Sequence, residues 1–143
     1  MTNTVAAVFH AAQEAALRAS VPLATAMGTV RVYTDAPPTN APSGGSVFPY
    51  IRTGDNQYID DSDECQDGTE IVATSHVFDR PEPISATRAL QIAGIVRSIL
   101  NAALTLTGHE VVLHEFIDMR QVTDPTGATH VVITHRYLTV PTT

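Results

Sequence analysis

Apolar residues recur along this chain with two periods, and the switches between them outline the elements. Val5, Val8, Phe9, Ala12 and Ala16 fall at helical spacing and predict a first helix from about Thr4 to Ser20. Asn3 or Thr4 is placed to cap it, because a short side-chain oxygen can accept an N–H left free in the first turn. Pro22 and Gly28 mark the exit. Val30 to Thr34 then reads as a short strand. From Ala36-Pro37-Pro38 to Ser43-Gly44-Gly45, three prolines and two glycines argue against regular structure. Phe48 to Thr53 is the next strand, closed by Gly54-Asp55-Asn56. Thr69 to Phe78 is a longer one, broken by Arg80-Pro81-Glu82-Pro83.

The second helix has the clearest pattern. Ala89, Ile92, Ala93, Val96, Ile99, Leu100 and Ala103 make one apolar stripe, with Ser85 placed as its N-cap and Thr107-Gly108 as its end. Two strands follow, Glu110–Arg120 and Thr129–Val140. Between them Asp124-Pro125-Thr126-Gly127 has the chemistry of a tight turn. Asp can start it with a side-chain bond, Pro presets φ, and Gly supplies a positive φ. The order α-β-β-β-α-β-β, with loops between consecutive strands, predicts a single α+β domain over 1–143. Its sheet would be mainly antiparallel, of four to five strands, with two helices packed on one face.

Two patterns can be read as pointing beyond an isolated subunit, the plainer reading of the first being a tolerated Gly on a polar helix surface. The polar face of the second helix reads Thr87, Gln91, Gly94, Ser98 and Asn101 and has almost no charge. Gly94 and Ser98 lie one turn apart, where small residues let another backbone approach, and a mid-helix Gly costs about 1 kcal/mol against Ala. In the penultimate strand Val111, Leu113 and Ile117 alternate with Val112 and Phe116, so both faces are apolar. A sheet with helices on one face needs that only where something covers the other.

Charge narrows the function classes. Fifteen acids against eight basic residues give a net charge of −7, and all eight basic residues are Arg. A nucleic-acid reader needs clustered positive charge, and this chain has the opposite balance. Cys65 is alone, so no disulfide framework is expected. No apolar run reaches the roughly 18–20 residues of a membrane span. Met1-Thr2-Asn3-Thr4 lacks the basic and apolar regions of a signal peptide. The expectation is a soluble acidic domain made inside a cell.

Candidate chemistry is sparse. The six histidines, His10, His76, His109, His114, His130 and His135, form no tight metal pattern. His130 and His135 are five apart on one strand and so point to opposite faces; His109 and His114 share that odd spacing. Strand pairing could bring His114 near His130 or His135, but zinc needs three or four convergent ligands. Seven of the fifteen acids lie between Asp55 and Glu70, with Asp60, Asp61, Asp63 and Glu64 at the centre. The run fails the EF-hand register, since from Asp63 the third position is Cys65 and the twelfth is Thr74. A solvated hairpin loop is the expectation, with a looser calcium loop as the alternative, and the acids around Cys65 disfavour its thiolate. No nucleophile elbow, P-loop or dinucleotide fingerprint is present, so no enzyme, cofactor or metal site is expected.

Four segments share an order and spacing. Arg31-Val32-Tyr33-Thr34-Asp35-Ala36-Pro37 is a strand entering a Pro turn. Phe48-Pro49-Tyr50-Ile51 has Gly54 just after it. A strand ends at Phe78-Asp79-Arg80 before the amphipathic helix. Asp124-Pro125-Thr126-Gly127-Ala128-Thr129-His130 leads into a His-bearing final strand. Together they resemble the tail-completion, or tail-terminator, proteins of long-tailed bacteriophages and related gene transfer agents, over nearly the whole chain. The Asp60–Asp67 loop departs from that pattern in its acidity and its lack of Trp.

The resemblance implies a structural virion protein without an active site. It would form a homohexameric ring on the head-proximal end of the tail tube, ending tube polymerisation and meeting a neck, or stopper, protein. Its partners would be itself, the tail-tube protein and the neck protein, after assembly in the host cytoplasm. DNA would pass through the ring without specific binding, and no membrane would be involved. Gly94, Ser98, Asp60, Asp61, Asp63 and Glu64 are the candidate subunit or tail interface. Two other readings remain open: another head–tail ring component, such as the neck stopper or the tail-tube protein, and a small metal- or metabolite-binding α+β domain.

Overall fold

The computed structural model describes residues 4–38, 46–102 and 104–142, and among them are three helices and six strands. Two long strands carry the sheet. β4 (Thr69–Asp79) and β6 (Thr129–Pro141) pair antiparallel without a break from Thr69↔Thr139 to Asp79↔Thr129. Their Val, Ile and Thr side chains suit a pleated, half-buried surface. The other edge of β4 is shared. β2 (Tyr50–Arg52) takes its C-terminal part, and β3 (Gln57–Asp60) takes its N-terminal part. β1 (Val32–Tyr33) extends the sheet beyond β2, and β5 (His109–Thr123) closes the far edge against β6.

α1 (Val5–Arg18), α2 (Val21–Met27) and α3 (Thr87–Leu100) all lie on one face. α3 presses Ala89, Ile92, Ala93, Val96 and Leu100 onto Ile51, Val77, Val131 and Ile133, and Leu17, Leu23 and Met27 complete that core. α1 seats Val5 and Phe9 on Ile71, Ala73 and Tyr137, with the Phe9 and Tyr137 rings 4.9 Å apart. The α+β class and the one-sided helix layer match the sequence expectation.

Two elements are additional to it. Pro22 does not end a helix; it begins α2, where a first-turn residue needs no N–H. The Ser20 hydroxyl accepts the Leu23 N–H at 3.2 Å, and Gly28 ends α2 at φ +81°. β3 lies inside the acidic run. β1 and β2 are parallel rather than antiparallel, because the segment from Thr34 to Pro49 is long enough for a crossover. Asn3, Ala103 and the 39–45 part of the Pro/Gly-rich stretch lie outside the described residues.

Cap assignments shift as well. Thr4 occupies the N-cap of α1 without a side-chain bond. Ser85 sits one residue before the α3 N-cap, Ala86, and its hydroxyl accepts the Thr87 N–H at 3.2 Å. α3 stops at Leu100, and Gly108, at φ +78°, turns the chain into β5.

Polar side chains pin the layers together. Asp79 is fully buried and accepts Arg88 Nε at 2.7 Å and Nη2 at 2.6 Å, tying the end of β4 to the start of α3. Tyr137 Oη donates to the Leu100 carbonyl, one of the acceptors a helix C-terminus leaves open. Gln13, also buried, donates to Ser75 Oγ at 3.3 Å and accepts from Asn56 at 2.7 Å; Asn56 in turn accepts the Thr74 N–H at 3.2 Å. Glu14 accepts from Thr34 at 2.9 Å and Thr53 at 2.8 Å, and pairs with Arg18 at 3.0 Å. Burial pushes the Glu14 carboxyl up, but those hydroxyl bonds and the charges of His10 and Arg18 hold it below the usual range.

These contacts set two expected outcomes. A Cβ at Gly54 would lie 2.2 Å from the Thr34 carbonyl oxygen, which is backbone and cannot swing aside. Gly54→Ala is expected to cost about 2–4 kcal/mol, read as a lower urea midpoint. His135 is fully buried, with Nε2 3.3 Å from the Arg97 carbonyl, and burial pushes its pKa down to about 4. An unfolded His titrates near ~6.5, so this stability is complete above that pH and is lost as pH falls toward 4. Urea unfolding from pH 7 to 4 should show a slope of up to about 1.4 kcal/mol per pH unit from this residue, removed in His135→Gln.

Candidate functional site

The sheet face opposite the helices is where aromatic and titratable side chains gather. Alternation along the strands sends Ile51, Val77 and Val131 toward the helices, and so turns Tyr50, Arg52, His76, Phe78 and His130 the other way. Tyr33, opposite Arg52, joins them. The rings form a ladder across four strands. Tyr33 meets Tyr50 edge-on at 6.0 Å, Tyr50 stacks on Phe78 at 4.9 Å, and Phe78 stacks on His130 at 4.1 Å. Val47 and Phe48 pack over Tyr50, so this end of the face is buried without a helix above it.

A line of charged groups runs beside the ladder. Arg52 Nη2 is 3.0 Å from Asp55 Oδ2, and the same oxygen is 2.7 Å from His76 Nε2. On its other side His76 Nδ1 lies 2.7 Å from His130 Nε2. Burial lowers the His76 pKa and the nearby Arg52 charge lowers it further, against the pull of Asp55. Burial also lowers the His130 pKa, helped by His76 and Arg52 and opposed by Asp124. The cluster can hold and share a proton. Among the described residues neither imidazole is bonded to a hydroxyl or thiol, and no group of three or more His, Cys, Asp and Glu is arranged for a metal ion.

The residues singled out from the sequence fall in two places. Gly94 and Ser98 are exposed on the outer ridge of α3, and a Cβ at Gly94 would meet nothing within 4 Å. Beside that ridge Val21, Pro22, Thr25, Ala26, Gln91 and Ile95 line an apolar groove between α2 and α3. Asp60, Asp61, Asp63 and Glu64 are exposed around the β3–β4 turn. That turn is internally bonded: Asp60 accepts Ser62 Oγ at 2.6 Å, Asp63 accepts the Cys65 N–H at 2.8 Å, and the Asp61 N–H reaches the Gly68 carbonyl at 2.9 Å. The first set belongs to the helix layer and the second to a hairpin tip of the sheet.

β5 carries features that the spacing of apolar residues concealed. Two bulges interrupt its pairing with β6, one between Val111 and Leu113 and one between Phe116 and Asp118. Each places an extra residue opposite one partner. Those residues are Val112 and Ile117, 55% and 48% exposed. The two-faced apolar pattern was their signal. The first bulge also reverses the expectation for His109 and His114. Their partners Pro141 and Tyr137 share a strand face, so the two histidines face the same way. His130 and His135 do lie on opposite faces. His130 finds His76 as its neighbour, whereas His114 falls on the side of His135.

The family model described as tail completion protein gp17 matches residues 13–139. A chain from a solved structure of the virion of a native gene transfer agent particle has the same fold, with a TM-score of 0.82. It is 23% identical, over 97% of this chain and 99% of that one. No curated protein matches.

The open space at Gly94 gives a test of the α3 ridge in the isolated chain. Gly94→Ala is expected to raise stability by about 1 kcal/mol in urea unfolding, because nothing opposes the better helix former.

Proposed function

The chain belongs to the tail completion protein gp17 family, and from that membership we propose that it caps and joins the tail of a phage-like particle. In this reading it is a structural virion component that forms a homohexameric ring on the head-proximal end of the tail tube. The ring stops tube polymerisation and offers its other side to a neck, or stopper, protein. It is assembled in the host cytoplasm, and DNA passes through it without sequence-specific contact.

The family match over residues 13–139 carries the proposal. Physical features support it. A cyclic assembly needs two different patches on each subunit, one for each neighbour. The groove between α2 and α3 and the apolar bulge residues of β5 are two such patches on different elements. A net charge of −7 per chain is compatible with a lumen that repels phosphate and lets a duplex slide. The acidic turn at Asp60, Asp61, Asp63 and Glu64 is a candidate contact with the tube or the neck, because all four side chains are exposed.

Electron microscopy of particles made without this gene is the direct test. Overlong tubes unattached to capsids are expected. Full heads without tubes would reassign the chain to another tail component, and normal infectious particles would overturn the structural role. Complementation with Gly94→Arg and Ser98→Arg is expected to reproduce the overlong tubes although the isolated variant folds, since both positions are exposed in the single chain.

A further inference from the structure

We infer that His76 and His130 form an acid-triggered latch at the base of the β5–β6 hairpin tip, closed while the pair holds no more than one added proton. The positions of the four imidazole nitrogens decide where protons can go. The Asp55 carboxylate lies 2.7 Å from His76 Nε2 and favours a proton there. In the neutral ring, His76 Nδ1 is then an acceptor. It lies 2.7 Å from His130 Nε2, which donates to it. The first added proton goes to His130 Nδ1 and strengthens this bond, because a charged donor binds better than a neutral one. The second has no place except His76 Nδ1, where it would face the His130 N–H. Two donors and two positive charges cannot stay in contact at that distance, so the rings separate.

The surroundings set the trigger. Arg52 on β2 and Arg120 on β5 oppose the second proton, while Asp55 and Asp124 favour it. Burial of both rings opposes it too. Separation would lift His130 from its 4.1 Å stack on Phe78. His130 pairs with Val122, two residues before the Asp124 turn, so the loss falls on the tip of the hairpin rather than on its body. The latch is separate from His135, whose ring is buried on the helix side.

Long-range imidazole nitrogen–proton NMR on the full chain between pH 8 and 4 tests the pairing. Two linked steps at least about one pH unit apart are expected. Amide exchange of Val122 to Thr129 should lose about tenfold in protection across the second step, corrected for intrinsic rates. His130→Phe keeps a ring on Phe78 and leaves His76 as the one imidazole of the pair, so two donors can no longer face each other. It should give His76 a single step and leave the tip protected. If that variant does not fold, His76→Gln serves the same purpose from the other side. Independent titrations near the ordinary value of ~6.5 would overturn the latch. So would linked titrations without loss of tip protection, or the same loss in the variant.

Discussion

The ladder between β4 and β6 determines where nearly every other residue lies. It runs from Thr69↔Thr139 to Asp79↔Thr129 without a bulge. β2 and β3 hang on the free side of β4, and β5 hangs on the free side of β6. A slip of one residue would turn Ile71, Ala73, Ser75 and Val77 away from the helices and bring His76 and Phe78 beneath them. The apolar helix stripes reject that exchange, because it would bury unpaired imidazoles and expose the core. Register and helix packing therefore select each other.

Against that apolar constraint, the polar pins act locally. Asp79 with Arg88 sets where α3 begins, and Tyr137 with the Leu100 carbonyl sets where it finishes. Gln13 and Asn56 join α1 to the loop that separates β2 from β3. The Asp79 and Tyr137 pins sit at element boundaries, where backbone groups are short of partners, and the Gln13 pin joins the middle of α1 to the middle of β4. Burying such groups is costly unless every bond is made, so the pins define one arrangement of layers that hydrophobic packing alone would leave looser.

How much of this could be read in advance differs by element. The α3 stripe was legible because a 3.6-residue period sustained over several turns fits a helix and no strand; Ala89, Ile92, Ala93, Val96 and Leu100 are all fully buried. The Asp124–Gly127 turn was legible because its bonds are local: Asp124 accepts the Thr126 N–H at 2.8 Å, and Gly127 has φ +88°. α2 was hidden because a proline ends one helix and starts another with equal ease. β3 was hidden because a short edge strand can keep acids pointing to solvent. The bulges of β5 broke the two-residue period that strand reading relies on. The His76–His130 pair needed the register of strands separated by 54 positions, which no local pattern contains. Gly94, Ser98 and the four acids were found as exposed positions, and exposure alone says nothing of what they meet.

The two rims of the sheet have a consequence for how the chain behaves in a crowded cell. One rim is divided between β1, two residues long, and β3, four residues long, and the other is β5, kinked twice along its length. Neither offers the long flat row of free amides and carbonyls on which another strand could crystallise. Raising the amount of folded chain therefore does not by itself drive it toward fibrils or swapped strands. Association is left to side-chain surfaces that recognise shape and charge, so a stockpile can accumulate without consuming itself.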